Sequence, residues 1–432
     1  MKKLLLFMLV TVCFCLNATA QQYRMKYAAS DGRPLSLENV IRLSLENSYE
    51  VLLIEQDLVI AQQRIQEAKF LYRPQFSINA SVTGYNVDYP MVLPEAVGQR
   101  LLMPDPAHSK EDLFYAVGIS AVQYIYSGGR ISSTLELART ADKEILSRYQ
   151  TAKNTVIYEA KTAFYEYLYA EQKNNFAHEV LKKAREISNK TGLTPAQKIL
   201  ASSEVADFES RAAKAKADFE ASKIKLLQNL NKEFNTDIIF QGSLDYEPIE
   251  TDLKKLNLWA MEFRPEVKGA MYKLEMDNIA VKLSLTRRYP DILLGASYDR
   301  QGLDNLKQEN MQATLAVKVP FGYNFGTQLR QKRAEQRQTV LRQASVEDTI
   351  RVQVLEAYNN LNFWQEQTPR SLKTWETIKK QFKDFTLTKS SLKETFDSLN
   401  YYYQAGIKSL EAQKEHLIAV ARLENAIGKD LK

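Results

Sequence analysis

A helix ended by a proline and followed by an alternating strand occurs twice in this chain, and few folds can accommodate such a unit in duplicate. The first copy opens at Glu50-Val51, continues as an amphipathic segment through Phe70, and breaks at Tyr72-Arg73-Pro74 into the run Gln75 to Val82. The second opens at Glu266-Val267, continues through Leu285, and breaks at Arg288-Tyr289-Pro290 into the run Asp291 to Tyr298. Glu50 and Glu266 are 216 positions apart, as are Pro74 and Pro290. A repeat this long makes the chain two halves of one design, residues 21–247 and 248–432.

The first 20 residues stand outside that design. Lys2-Lys3, an apolar core from Leu4 to Leu16, and Ala18-Thr19-Ala20 make a secretory signal peptide with a small-residue cleavage site. Both cysteines, Cys13 and Cys15, lie inside it; they follow Val12 and Phe14, not the small residue that lipid attachment requires, so no lipid anchor is expected. The rest of the chain has no cysteine, which excludes a disulfide framework, a zinc knuckle and a thiol nucleophile there and suits an oxidising compartment. Removing Lys2 and Lys3 lowers the formal charge from +6 to +4. The remaining charges are interspersed along helical stretches, as on solvated faces, and give no nucleic-acid footprint. No later apolar run approaches a membrane-spanning helix, so a membrane can be crossed only by strands.

Taken in order, Ser36 can cap a short helix through Leu37, Val40, Ile41, Leu43 and Leu45. A second helix, about 49–71, carries Val51, Ile54, Leu58, Ala61, Ile65 and Ala68 on one face and stops at Pro74. Strands are expected at about 75–85 and 114–126, separated by a loop with four prolines. Gly128-Gly129 breaks the second strand, and nothing interrupts the helical pattern from Arg130 to Asn189, a length of roughly 90 Å at about 1.5 Å per residue. That is a coiled coil or projecting hairpin. It turns at Thr191-Gly192-Leu193-Thr194-Pro195, and the return helix, 196–230, shows a small-residue heptad seam through Val205, Phe208, Ala212, Ala215, Phe219, Ser222 and Leu226. Residues 232–263 read as a small mixed α/β patch with a short helix around Trp259. The order then repeats: helix 266–288, Pro290, strands at about 291–300 and 311–320 around a loop at 301–310, breaks at Gly322 and Gly326, and a hairpin over 328–428 that turns at Thr386-Leu387-Thr388.

Enzymatic signatures are absent from the sequence. His108, His178 and His416 have no metal-ligand spacing and read as surface or seam residues. There is no P-loop, dinucleotide fingerprint or nucleophile elbow, and Gly128-Gly129-Arg130 reads as a strand-to-helix hinge, not a phosphate loop. No cofactor is implied. The strands carry more. Each has about ten residues with one apolar and one largely polar face, the pattern of a membrane strand over a wet lumen. Four strands cannot close a barrel, and an open edge in lipid strands backbone groups at several kcal/mol each, roughly; the chain must therefore oligomerise.

The whole mature chain resembles the outer-membrane efflux protein (TolC) family. The resemblance rests on the signal peptide, Leu35-Ser36-Leu37-Glu38, the units at Pro74 and Pro290, the hinge Gly128-Gly129-Arg130, and the closing Leu423-Glu424-Asn425-Ala426-Ile427-Gly428. It implies a mostly helical fold with transmembrane β: a homotrimer whose chains each give four strands to a 12-stranded outer-membrane barrel, continued by a long periplasmic α-helical barrel. It implies an exit duct that passes small molecules (drugs, toxic compounds or metals) from an inner-membrane pump through a periplasmic adaptor, in contact with outer-membrane lipid. A duct for one-step protein secretion is the alternative within that class; a periplasmic coiled-coil scaffold without a pore is the alternative outside it. Gly192-Leu193-Thr194 is similar to the family's adaptor-docking turn, and Thr386-Leu387-Thr388 departs from it by a threonine in the glycine position. Asp384, Lys389, Lys393, Glu394 and Asp397 surround the second turn and are the candidate periplasmic gate.

Overall fold

The protein is described from a computed structural model that covers residues 34–85, 112–189, 193–233, 238–303, 306–320, 324–384 and 391–431. The order of elements is α1 (Leu37–Asn47), α2 (Tyr49–Phe70), β1 (Gln75–Tyr85), β2 (Asp112–Tyr126), α3 (Arg130–Ser188) and α4 (Pro195–Asn229). There follow α5 (Leu253–Phe263), α6 (Pro265–Thr286), β3 (Asp291–Leu303), β4 (Gln308–Lys318), α7 (Phe325–Asp384) and α8 (Leu392–Ile427). The outgoing helices α3 and α7 have 59 and 60 residues, and the return helices α4 and α8 have 35 and 36.

One feature of the sequence reading needs correction. The loop expected over 301–310 is largely strand, since β3 runs to Leu303 and β4 begins at Gln308. Its polar residues look like a loop, but Gln301 pairs with both Ala116 of β2 and Gln308 of β4. Among its described residues, the patch after residue 232 supplies α5 and one parallel bridge, Phe240 to Leu35. Ser36 stands at the N-cap of α1 without capping it, and its hydroxyl accepts instead from Asn39.

Each half folds the same way. α3 packs along α4 and α2, and α7 packs along α8 and α6, while α3 also contacts α6 and α8 and so joins the halves. A 22-residue helix therefore sits above each return helix: α2 lies along α3, and α6 lies against both α3 and α7. The seam expected on α4 is present: Phe208, Ala212, Ala215 and Leu226 are buried, and Val205, Phe219 and Ser222 half-buried. Small residues there let the backbones approach. Where the helices are stacked, Asn231 Nδ2 donates to the Asn47 carbonyl (2.7 Å) and Asn47 Nδ2 to the Leu230 carbonyl (3.2 Å). In the second half Gly428, at φ 70°, abuts the backbone of Arg264.

Among the described residues the core includes three large buried clusters strung along the hairpins, and a small one of Val51, Ala152 and Val156 between α2 and α3. One gathers Val40, Phe164, Leu168, Leu227 and Phe240 at the waist. A second, lower on the hairpins, includes Val180, Phe208, Phe396 and Tyr402, with Phe176 and Trp375 packed edge-on at 5.4 Å. A third unites α5, α7 and α8 through Leu256, Val354, Leu361 and Leu423. α7 passes through Pro369 without ending. Proline has no N–H to give to the carbonyl four residues back, and that carbonyl, of Gln365, accepts the Tyr246 hydroxyl at 3.2 Å. The Gln365 amide in turn donates to the Ile249 carbonyl at 2.8 Å, so the segment before α5 is strapped over the helix where its ladder is broken.

Candidate functional site

The four strands form one antiparallel sheet in sequence order, β1-β2-β3-β4, which leaves β1 and β4 as open edges. The register sorts their side chains into two faces. Phe76, Ile78, Ala80 and Val82 stand opposite Ala121, Ile119, Val117 and Tyr115 of β2. Ile119 and Ala121 stand opposite Tyr298 and Ala296 of β3, which meet Met311 and Ala313 of β4. One mainly apolar face thus crosses all four strands, interrupted by Gln123 of β2 and by Arg300 and Glu309 of β3 and β4. It is left bare: Phe76 is 75%, Ile78 76%, Met311 87% and Leu315 69% exposed. An extended exposed apolar surface of this kind marks an interaction with membrane or protein.

The opposite face carries Ser77, Asn79 and Ser81, Ser120, Ser297 and Asp299, and Asn310, Gln312 and Thr314. Ser77 and Ser120 hydroxyls bond across the ladder at 2.6 Å. On β3, Gly295, Ser297 and Asp299 are half-buried while Leu294, Ala296, Tyr298 and Arg300 are exposed, as on a sheet curved toward its polar side. Arg300 and Glu309 are the charged residues that fall among the apolar ones on the described strands; they pair across the hairpin, and Arg300 donates to the Tyr298 hydroxyl.

The hinges expected at Pro74 and Pro290 lie where helices become strands, and Gly128-Gly129 lies where a strand becomes a helix. Gly128 and Gly129 adopt φ 59° and 84°, a left-handed pair that turns the chain from β2 into α3. The sequence did not disclose what holds that turn. Arg130, the first residue of α3, reaches across to the Asp291 carboxylate at 3.0 Å and lies over the Tyr124 ring at 5.7 Å. The first half's hinge is therefore tied to the start of the second half's strand. Gly326 lies in the first turn of α7, and Gly322 lies outside the described residues.

At the far end, both return helices begin with the same device. Thr194 accepts from the Gln197 backbone N–H while the Gln197 side chain accepts from the Thr194 N–H, and Pro195 occupies the first helical position. Ser391 and Glu394 form the matching box, 197 residues on. Each box satisfies two otherwise orphan donors. The offset between the halves has fallen from 216 to 197, and the shortening lies in the strand connections: residues 86–111 in the first half against 304–307 in the second. Of the docking turns, Leu193 is half-buried and Thr194 exposed, while Gly192, Thr386, Leu387 and Thr388 lie outside the described residues. Of the gate candidates, Lys393 and Asp397 are exposed on the first turns of α8, Glu394 is held by the cap, Asp384 ends α7, and Lys389 lies outside the described residues.

Among the described residues no group of histidine, cysteine and carboxylate side chains could hold a metal ion, and no helix is long and apolar enough to cross a membrane. His178 is exposed; His416 is 1% exposed against the Tyr246 ring at 4.7 Å, and burial pushes its imidazole pKa down. It is a seam residue, as the sequence suggested; His108 lies outside the described residues.

No sequence-family description matches the chain, and no characterised relative matches it by sequence. Solved structures do match its fold. The open-state MtrE outer-membrane channel of Neisseria gonorrhoeae superposes with a TM-score of 0.75 over 92% of this chain and 89% of its own, at 17% identity. VceC, an outer-membrane protein of Vibrio cholerae, gives 0.73 over 92% and 97%, at 13% identity. The CmeC outer-membrane channel of Campylobacter jejuni gives 0.72 over 91% and 85%, at 13% identity. The chain shares its fold with outer-membrane channels across nearly its full length.

Proposed function

We propose that this protein is the outer-membrane exit duct of a tripartite export system in a Gram-negative bacterium. The observation that carries the reading is the sheet: one mainly apolar face, one polar face, and two open edges, mounted on helical hairpins too long for a globular domain. Strands of 11 to 15 residues suffice for a tilted span that needs about 9–11. Edges open to lipid leave backbone donors unpaired, so several copies must join edge to edge. A homotrimer brings the count to 12 strands, above the roughly eight of the smallest outer-membrane barrels. The bare apolar face then meets lipid, the polar face lines water, and the hairpins extend the tube into the periplasm. The fold shared with outer-membrane channels supports the same reading.

In this duct the chain catalyses nothing and consumes no nucleotide. An inner-membrane pump supplies energy, and a periplasmic adaptor docks at the hairpin turns, Gly192-Leu193-Thr194 and Thr386-Leu387-Thr388. The cargo is small molecules. Asp384, Lys389, Lys393, Glu394 and Asp397 form the gate, with Glu394 contributing from within its cap. Charge reversal at Asp384 and Lys389 together should raise conductance; unchanged conductance and permeability would remove both from the gate. The test of the whole reading is planar-bilayer conductance of the detergent-extracted protein with its oligomeric mass measured alongside. Discrete channels from a trimer are expected. A soluble monomer or dimer without conductance would overturn it.

A further inference from the structure

We infer that the helix ends beneath the sheet form a basic collar that holds anionic phospholipid headgroups of the periplasmic leaflet; the inference rests on the duct reading above. The register puts the starts of β1 and β3 beside the ends of β2 and β4, so all four helix-strand junctions lie at one end of the sheet. The ten helical residues nearest the sheet on α2, α3, α6 and α7 carry eight lysines and arginines against three carboxylates, Glu67, Glu136 and Asp277. Arg73, Arg287 and Arg288 in the junctions raise the cations to eleven and add no acid. At the far tips, the ten end residues of α3, α4, α7 and α8 carry eight cations against seven carboxylates. The excess belongs to the sheet end and is not the general pattern of these helices.

Little of this charge is neutralised within the chain. Arg130 takes Asp291, Lys282 takes Glu136 at 3.0 Å, and Lys332 takes Glu335 at 2.7 Å. The other eight cations have no carboxylate at ion-pair distance among the described residues. The helix dipole makes the position costlier still. Helix N-termini favour carboxylates, yet the first turns of α3 and α7 hold none, and α3 opens on Arg130. Two arginines are held ready for a phosphate: Arg73 lies over the Phe70 ring at 5.2 Å, and Arg288 over the Phe325 ring at 4.7 Å. A guanidinium stacked on its face keeps its edge donors for bidentate contact with phosphate oxygens.

The level is that of a membrane surface. The apolar face of the sheet begins at Phe76 and Ile292, two residues beyond Pro74 and Pro290. Tyr72 and Tyr289, beside those prolines, are 50% and 53% exposed. Outer-membrane barrels place aromatic girdles at the edges of their apolar band, at headgroup height. Each half supplies one tyrosine and one arginine there, in exchanged order: Tyr72-Arg73-Pro74 and Arg288-Tyr289-Pro290. Ten helical residues cover about 15 Å, so the cations begin at the headgroups and continue just beneath them. Attraction of a basic segment to an anionic leaflet falls off within a Debye length, about 8 Å at physiological salt. Arg73 and Arg288, three and four residues before the apolar face, are therefore the best placed.

The experiment is lipid retention by the detergent-extracted full chain, equilibrated with equal amounts of phosphatidylglycerol and phosphatidylcholine, with the retained lipids counted by mass. The wild type is expected to keep several-fold more phosphatidylglycerol, and the ratio should fall toward one as KCl rises from about 0.05 to about 0.5 M. Arg73→Gln with Arg288→Gln should at least halve the ratio. Lys198→Gln with Lys380→Gln, which removes the same charge at the far tips, should leave it unchanged. If the arginine pair fails to assemble, Lys69→Gln with Arg330→Gln takes its place, with the same fall expected. Equal retention of the two lipids by the wild type, as from a collar turned into the lumen, would overturn the inference. So would a ratio that the tip pair lowers as far as the collar pair does. Channels from the same preparation would leave the duct standing in both cases. A chain that stays soluble without detergent and keeps neither lipid would overturn the duct reading, and this inference with it.

Discussion

The return helices α4 and α8 are copies of one another, yet their last turns are held by different physics. Each starts at a capping box, Thr194 or Ser391, and each stops at a left-handed residue, Asn231 or Gly428, 197 residues apart at both ends. Inside that common frame, Leu227 and Glu424 occupy the same place. Leu227 is fully buried in the apolar cluster at the waist. Glu424 instead takes Lys161 of α3 at 2.7 Å, and Asp430 takes the same ammonium at 3.3 Å. Both copies bury apolar residues here, Leu226 and Leu230 in the first and Leu423 and Ile427 in the second; at the 227/424 position the first adds desolvation and the second an ion pair. Apolar burial is non-directional, so the first contact tolerates small shifts. A short, largely buried ion pair does not. Duplication has conserved the geometry of the junction without conserving the interaction that closes it.

The sharpest way to break this comparison is to exchange the chemistries. Leu227→Glu places a carboxylate in a cluster with no cation provided for it, and an uncompensated buried charge costs about 3–5 kcal/mol. Loss of helix signal should move to markedly lower urea; an unchanged midpoint would mean that this cluster is open to water. Glu424→Gln, which leaves Lys161 with Asp430 alone, should cost about 2 kcal/mol. It should also alter the alkaline limb. Burial alone would lower the Lys161 pKa, but the hydrogen bond and charge of Glu424, with Asp430, outweigh it and hold the pKa above 10.5. A raised folded pKa stabilises fully below the ordinary lysine value and is lost as pH rises through the folded one. The wild type should therefore lose stability above pH 10.5, and Glu424→Gln should lose less of it over the same window. Asp430→Asn, at a carboxylate 75% exposed, should cost under about 0.5 kcal/mol.

The sequence disclosed the parts of this molecule that are specified locally. Pro74, Pro290 and Gly128-Gly129 punctuate the chain by their own backbone restrictions, and the strands follow from an alternation visible over eight residues. The seam on α4 is legible for the same reason: its spacing is set by one helix. What stayed hidden depends on partners far away in the chain. Lys161 and Glu424 are 263 residues apart, Asn47 and Asn231 184, and Arg130 and Asp291 161; none of these pairs has a local signature. The ends of the central strands were hidden too, since Gln301-Gly302-Leu303 is strand through its pairing with β2 and, at Gln301, with β4. Equivalence of the return helices became visible only through their caps, because the unequal strand connections shift the second half's numbering by a different amount below the sheet than above it.

The left-handed residues give the finest test of how far the two junctions are interchangeable. Gly428→Ala adds a Cβ at positive φ, 3.1 Å from Arg264 Cα, and should cost about 2 kcal/mol, from left-handed strain together with crowding. Gly428→Asn should cost nearly as much: asparagine tolerates the backbone angle, but its Cβ meets the same Arg264 backbone. At 231 the balance is reversed. Asn231 sits at φ 48° and donates to the Asn47 carbonyl at 2.7 Å, so its side chain is part of the junction. Asn231→Gly keeps the angle and loses that bond, at about 0.5–1 kcal/mol; Asn231→Ala loses the bond and adds left-handed strain, for about 1 kcal/mol more. Urea midpoints in the order wild type, Gly, Ala at position 231 would show the angle and the amide acting separately. Equal midpoints for Gly and Ala would remove the strain argument there. Asparagine at 428 as stable as glycine would show that the Arg264 contact yields, and that the two junctions differ only in the side chains they happen to carry.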